Sequence, residues 1–189
     1  MAAPVKNVNA QRLLVLSDTH GHVRTLELVF KWAQDCNQSG EINAAVFLGD
    51  GASDLTQGAS ATGFSCEWKL VRGNNDFDFS LPLSDTFDFY GHRFYLCHGH
   101  RAALYNGYHT LLAAAQNLHA EAVLFGHTHV PFYNDDNKIL LINPGSVGRP
   151  RSQIGATFAV IECEPEKPLE VKFWGIGLQG KVKRLTHIP

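Results

Sequence analysis

RLLVLSDTHG, residues 12–21, decides how the rest of the chain is read. Leu13 to Leu16 form an unbroken apolar run, suited to a strand buried on both faces. The run ends abruptly in Ser17-Asp18-Thr19-His20-Gly21. Residues 23–36 then carry Leu26, Val29, Phe30 and Ala33 on one helical stripe. The unit of buried strand, polar loop and following segment recurs. Residues 44–48 (AAVFL) lead into Gly49-Asp50-Gly51, and residues 67–72 (EWKLVR) lead into Gly73-Asn74-Asn75-Asp76. Residues 51–65, rich in Gly, Ala, Ser and Thr, read as loop with room for a short helix. Residues 85–97 read as a hairpin turning near Gly91, with His98-Gly99-His100 after its second strand. A helix fits 105–118, and short strands fit 121–125, 139–142, 156–162 and 169–174. The strand at 121–125 runs into Gly126-His127-Thr128-His129. Early βαβ units followed by several strands predict a layered α/β fold built on packed sheets.

Composition narrows the class. A chain of 189 residues, 44% hydrophobic and 18% charged, is neither disordered nor fibrous. Its length predicts one domain over 1–189, with 1–11 and 180–189 as tails, or 175–189 as a contact between copies. The formal net charge of -2 disfavours a generally basic, phosphate-coating nucleic-acid binder. No apolar run approaches the roughly 18 residues of a membrane span, and residues 1–10 do not form a secretory signal. Cys36, Cys66, Cys97 and Cys163 are scattered without C-x-x-C spacing, which predicts reduced thiols in a cytoplasmic protein. Trp32, Trp68 and Trp174 fall in expected helices or strands and read as core. Tyr105, Tyr108 and Phe132 read as packing residues unless they line a substrate wall.

The chemistry gathers where the strands end. Asp18, His20, Asp50, Asn74, His98, His127 and His129 all lie in loops that follow apolar strands, and sites in α/β sheets form beyond the carboxyl ends of strands. Asp18 and His20 are two apart, as are His127 and His129, and in extended backbone such pairs point to one side. This nitrogen and oxygen set, with no thiolate, suits Mn, Fe, Zn, Co or Ni. Seven donors exceed one tetrahedral zinc site and fit two ions that share a carboxylate. Two divalent ions bring four positive charges against two from Asp18 and Asp50, so the surplus attracts a phosphate. Taken singly, Asp18 reads equally as a helix cap, Asp50 and Asn74 as turn residues, and either H-x-H pair as structural. The ordered set of five loops is what carries the reading.

The motifs D-x-H, G-D, G-N-x-D, H-G-H and G-H-T-H, in that order, resemble those of the calcineurin-like metallophosphoesterases. The short length, the GNND block and Asn143-Pro144-Gly145-Ser146 resemble the small phosphodiesterase branch of that superfamily, over residues 12 to 160. The resemblance implies a four-layer αββα sandwich with a dinuclear metal site at one edge of the sheets. It implies that Asp18, His20 and His129 hold one divalent ion, that Asn74, His98 and His127 hold the other, and that Asp50 bridges them. Manganese is the leading expectation, with Ni, Zn, Fe or Co as alternatives. The reaction implied is attack of a metal-bridging hydroxide on a small phosphodiester substrate. Many members read G-N-H-[DE], but this chain has Asn75 where they have a histidine, and an amide is no general acid. His22, His100 and Asp76 are the substitute candidates, and Asp50, His100 and Asp76 are the expected catalytic residues. Without that histidine, turnover is expected to favour diesters with acidic leaving groups. Arg149 and Arg151 are candidates for contact with an anionic substrate, although solvated loop charges are their commoner role. The runner-up is a binding scaffold on the same fold. A scaffold is expected to have lost ligands, whereas all seven positions are filled here. A nuclease would need a groove for a polymer, which the compact length and charge disfavour.

Overall fold

The computed structural model describes residues 10–35, 40–136 and 138–188. Cys36, the end of the expected first helix and most of the expected N-terminal tail lie outside them. Two sheets form the centre. One has six strands in the order β11-β10-β9-β1-β2-β3, the other five in the order β4-β5-β6-β8-β7. The first comprises β1 (Gln11–Leu16), β2 (Ala44–Phe47), β3 (Glu67–Leu70), β9 (Ala156–Cys163), β10 (Glu170–Ile176) and β11 (Val182–Arg184). The second comprises β4 (Ser84–Phe89), β5 (His92–Cys97), β6 (Ala122–Phe125), β7 (Pro131–Asn134) and β8 (Leu140–Pro144). Helices α1 (Val23–Gln34) and α2 (Ala52–Thr62) cover the outer face of the first sheet, and α3 (His109–Asn117) covers the second.

Strand periodicity builds these layers directly. Leu13 and Val15 of β1 face the other sheet, where they join Phe94, Leu96 and Leu124 in a core between the sheets. Leu14 and Leu16 face the helices and pack with Leu26, Val29 and Phe30 of α1. Val123, Phe125 and Leu141 do the same against α3. A strand apolar on both faces therefore reports its place inside a four-layer αββα sandwich. Trp32 is buried, Trp68 and Trp174 are half-buried, and all three pack in the helix-side core.

Parallel pairing sets where the loops emerge. β1, β2 and β3 run parallel in the first sheet, and β5, β6 and β8 run parallel in the second. The polar loops after β1, β2, β3, β5 and β6 all leave at carboxyl ends. The hairpin expected at 85–97 is β4-β5, turning at Tyr90 and Gly91, both with positive φ.

Several expectations need correction. Residues 51–65 hold a full helix, α2, which ends at the left-handed Gly63. Its first backbone N–H groups are satisfied by Asp76, from a loop 25 residues away, so no local cap marks its start. The helix expected from 105 begins only at His109, because Gly107 (φ 97°) breaks it from a 3-10 turn at Leu104–Asn106. Tyr105 on that turn is 98% exposed and packs in no core. The strand Pro131–Asn134 was not anticipated; it is an edge strand opening on proline, where the missing N–H costs little. Nor are 10–11 and 180–188 simply tails. Ala10 is buried and Gln11 opens β1, while Val182–Arg184 extend the first sheet and Leu185 and Ile188 pack against the central core. Cys66, Cys97 and Cys163 are free thiols. Among the described residues no helix is long and apolar enough to cross a membrane.

Candidate metal centre

The loops beyond β1, β2, β5 and β6 bring two groups of donor atoms together. In one, Asp18 Oδ1 lies 3.1 Å from His129 Nε2 and 3.6 Å from His20 Nε2, and the two imidazole nitrogens are 3.2 Å apart. In the other, His98 Nε2 lies 3.5 Å from Asp50 Oδ2 and 3.9 Å from Asp18 Oδ1. Asp50 Oδ2 is also 3.6 Å from His20 Nε2. Both carboxylates therefore stand between the two imidazole groups. The His127 ring stands beside the second group, 5.1 Å from the His98 ring, and its backbone N–H donates to Asp18 Oδ2. Asn74 is exposed and lines the same 420 Å3 cavity as His20, Asp50, His127 and His129.

Backbone carbonyls fix the tautomers. His98 Nδ1 donates to Leu48 O at 2.6 Å, and His129 Nδ1 donates to Arg149 O at 2.6 Å. A ring nitrogen that donates to a carbonyl leaves the opposite Nε2 as a lone pair, the arrangement in which histidine binds metals. Asp18 Oδ1 and His98 Nε2 are buried and have no hydrogen-bond partner. Buried polar atoms are seldom left so, and a shared cation would satisfy both at once. Donors held about 2.1 Å from a common ion stand about 3.0–3.4 Å apart, close to the spacing of Asp18, His20 and His129. The residues present fit a divalent ion.

The electrostatics prepare the carboxylates for that role. Burial by itself would raise the Asp18 pKa, but the neighbouring His129, His20 and His98 imidazoles and a hydrogen bond from Ser17 hold it well below the usual range. Burial likewise opposes ionisation of Asp50, yet His98 and the Asn75 amides bring it down to about 2. His98 is raised: burial disfavours its charge, but Asp50 and Asp18 more than compensate. His127 and His100 are both lowered, first by burial and then by the neighbouring His98.

The loop backbones are unusual. Asp18, His20, Asp50, His127 and His129 all have positive φ, between 45° and 68°. The H-x-H and D-x-H pairs converge through left-handed kinks, not through the extended backbone that their spacing suggests. Such conformations are costly for non-glycine residues and cluster where function holds them. The supports that hold them were not anticipated. Asp54, buried, accepts from Thr19 Oγ1 and Gly21 N and so pins the β1 loop. Ser146 Oγ donates to Asp18 O and accepts from Arg149 N, while Val147 N and Gly148 N donate to Ser17 O and Asp18 O. Asn143 closes its own turn through Gly145 N and donates to Gly126 O, in keeping with turn chemistry.

Asp76 Oδ1 accepts from Gly51 N and Ala52 N, and its Oδ2 accepts from Asp50 N and Gly73 N, all at 2.8–2.9 Å. Four backbone donors occupy both of its oxygens, so Asp76 clamps the loop after β3 to the loop after β2. His22 is exposed and stands at the N-terminus of α1, its N–H on Thr19 O. His100 lies beside the centre, its ring 5.4 Å from that of His98 and 6.2 Å from that of His127. Asn75 donates from both backbone and side chain to Asp50, at 2.7 and 2.6 Å.

Aspartate and histidine donors on the ends of parallel strands, in a two-sheet sandwich, define a protein built to bind divalent cations. Residues 12–166 match the calcineurin-like phosphoesterase superfamily domain, and the chain belongs to that superfamily. The activity that membership carries is that of a phosphoesterase. A probable metallophosphoesterase of Mycoplasma genitalium is 32% identical over 146 residues, covering 75% of this chain and 80% of the relative. The crystal structure of a predicted phosphoesterase from Streptococcus pneumoniae superposes with a TM-score of 0.71 at 26% identity, covering 93% of this chain and 97% of that one. Vps29 of Entamoeba histolytica, crystallised with zinc, shares the fold with a TM-score of 0.71 at 19% identity, covering 93% of this chain and 97% of that one.

Proposed function

We propose that this chain hydrolyses phosphodiesters at a centre of two divalent transition-metal ions, manganese foremost. Asp18, His20 and His129 would hold one ion and Asn74, His98 and His127 the other, with Asp50 shared. The observation that carries the reading is the pair of buried, unpartnered atoms, Asp18 Oδ1 and His98 Nε2, set among imidazoles whose other nitrogens face carbonyls. Ions bound there would lower the pKa of water and polarise a phosphoryl oxygen.

The chain's own residues then divide the work. Arg149 and Arg151 line the central cavity and offer guanidinium N–H groups to the phosphoryl oxygens. Asn75 holds the Asp50 carboxylate in place through two hydrogen bonds and carries no acidic proton. His100 is the nearest proton carrier outside the donor set. Burial, with the Arg101 guanidinium nearby, lowers its pKa from the ordinary value. Leaving-group protonation is weak, which favours diesters of acidic alcohols over alkyl monoesters. The likeness to Vps29 brings a scaffold reading alongside; a donor set filled at all seven positions favours the enzyme.

Metal analysis after equilibration with manganese, paired with hydrolysis of bis(p-nitrophenyl) phosphate, tests the proposal. Two equivalents of metal and a rate that falls steeply as leaving-group pKa rises are expected. Asp50→Asn should lose metal and nearly all turnover. Full activity in that variant would overturn the assignment, and failure to bind metal would leave the scaffold.

A further inference from the structure

The central cavity opens into two arms. One, of 520 Å3, shares His20, Asp50, Asn75 and Arg149 with the centre and is lined also by Phe77. The other, of 190 Å3, shares His127 and Arg151 with the centre and is lined also by Tyr105 and Tyr108. The arms have no lining residue in common, so Phe77 and Tyr105 belong to different arms that meet at the donor cluster. Phe77 is 85% exposed and Tyr105 98% exposed, on loops that a soluble surface would ordinarily furnish with polar side chains. Phe79, also exposed, is paired with the Arg72 guanidinium 4.7 Å from its ring, whereas Phe77 and Tyr105 have no ring contact or cation recorded among the described residues.

Charge limits what can lie along the two arms of this trough. Arg149 and Arg151 both flank the centre, one toward each arm. The Phe77 arm carries Asp54, Asp76 and Asp78, which repel a terminal phosphate and suit an uncharged group able to hydrogen-bond. A polymer needs a cation for each successive phosphate, and the Phe77 arm offers carboxylates where that track would continue. Aromatic faces in both arms with a single cationic stretch between them describe one phosphate joining two planar groups.

Resting on the phosphodiesterase reading above, we propose that the substrate is a dinucleotide-class diester, with one nucleoside base stacked on Phe77 and the other on Tyr105. Base stacking on an aromatic side chain is sequence-tolerant, so the trough selects for two bases without selecting which. Phe77 and Tyr105 are specificity residues: they act on binding of the two ends and not on the bond that breaks.

The test compares kcat/KM for adenylyl-(3′→5′)-adenosine, for ethyl p-nitrophenyl phosphate and for an oligoadenylate of twenty nucleotides. The manganese-loaded wild type, Phe77→Ala, Tyr105→Ala and Tyr105→Phe are each assayed. Each alanine variant should lower kcat/KM on the dinucleotide by about ten-fold more than on the small diester, chiefly through KM. Ten-fold corresponds to about 1.4 kcal/mol, within the range of one stacked base. Tyr105→Phe, which keeps the ring, should retain wild-type values. Equal losses on dinucleotide and small diester would overturn the trough reading while leaving the diesterase intact. Faster turnover per molecule of the oligomer than of the dinucleotide would overturn it in favour of a polymer substrate. No hydrolysis of the small diester by the wild type would remove the underlying activity, and the proposal with it.

Discussion

Gly148→Ala separates the positioning of the donors from their mere presence. Gly148 N donates to Asp18 O at 3.1 Å, and the carbonyl of the next residue, Arg149, accepts from His129 Nδ1 at 2.6 Å. A Cβ built on Gly148 falls 2.6 Å from the carbonyl carbon of Thr19 and nearer still to its oxygen, whereas real Cβ contacts stay above 3.0 Å. The obstacle is backbone of the loop that carries Asp18 and His20, so no side chain can swing aside to relieve it. The two loops must part by about 1 Å. A shift of that size takes the His129 hydrogen bond from 2.6 to about 3.6 Å, outside hydrogen-bonding range, and frees the ring from its tautomer. Crowding of this kind costs about 1–3 kcal/mol of stability. Misplacing a reacting group by about 1 Å costs about a hundredfold in rate. Urea unfolding, calorimetric titration with manganese and steady-state diester hydrolysis read the three consequences. The expected protein is folded, with a lower urea midpoint, weaker metal binding and hydrolysis down about a hundredfold. A folded variant with wild-type metal affinity and rate would refute the argument that the loop after β8 sets the His129 ring.

Asp76→Asn should lower stability by about 2–4 kcal/mol in urea unfolding, because an amide NH2 would face two of the four backbone donors. Unchanged stability with an altered pH–rate profile would instead make Asp76 an acid. Glu162 accepts from Arg12 Nε at 2.9 Å and from Lys172 Nζ at 2.6 Å. Burial opposes its ionisation, but these two cations hold its pKa below the ordinary 4.5. Its contribution to stability is full above about pH 4.5 and is lost as pH falls through the depressed folded value. Glu162→Gln should therefore be less stable than the wild type at pH 7, with the gap narrowing toward pH 3; a constant gap contradicts the ion-pair account. His98 is shifted the other way, above 6.5, in the metal-free protein. Its proton-linked stability is present below 6.5 and is lost as pH rises through the folded value. Metal must displace that proton, so manganese affinity should climb between pH 6 and 8 in calorimetric titrations. A flat profile would place the metal away from His98.

The layers were legible because strand periodicity is local. Leu13 to Leu16 are apolar at every position, and only a strand between two packed layers buries both of its faces. The clustered side chains were legible because their chemistry is carried by residue identity: Asp18, His20, Asp50, His98 and His129 announce themselves in four loops. α2 was not, because its first N–H groups are capped from residue 76, and no window around Ala52 records that partner. The clamp made by Asp76 was hidden for the same reason, since a carboxylate looks alike in sequence whether or not it accepts four backbone hydrogen bonds.

What the amino-acid order determined by itself is therefore the stack of layers and the inventory of atoms able to bind a cation. Tertiary structure alone decided how those atoms face one another. The left-handed turns at Asp18, His20, His127 and His129, and the carbonyls of Leu48 and Arg149 that lock two imidazoles, depend on segments brought together across the sandwich. Every residue carries a carbonyl, so nothing in the sequence marks the two that aim a ring; only the path of the folded chain does.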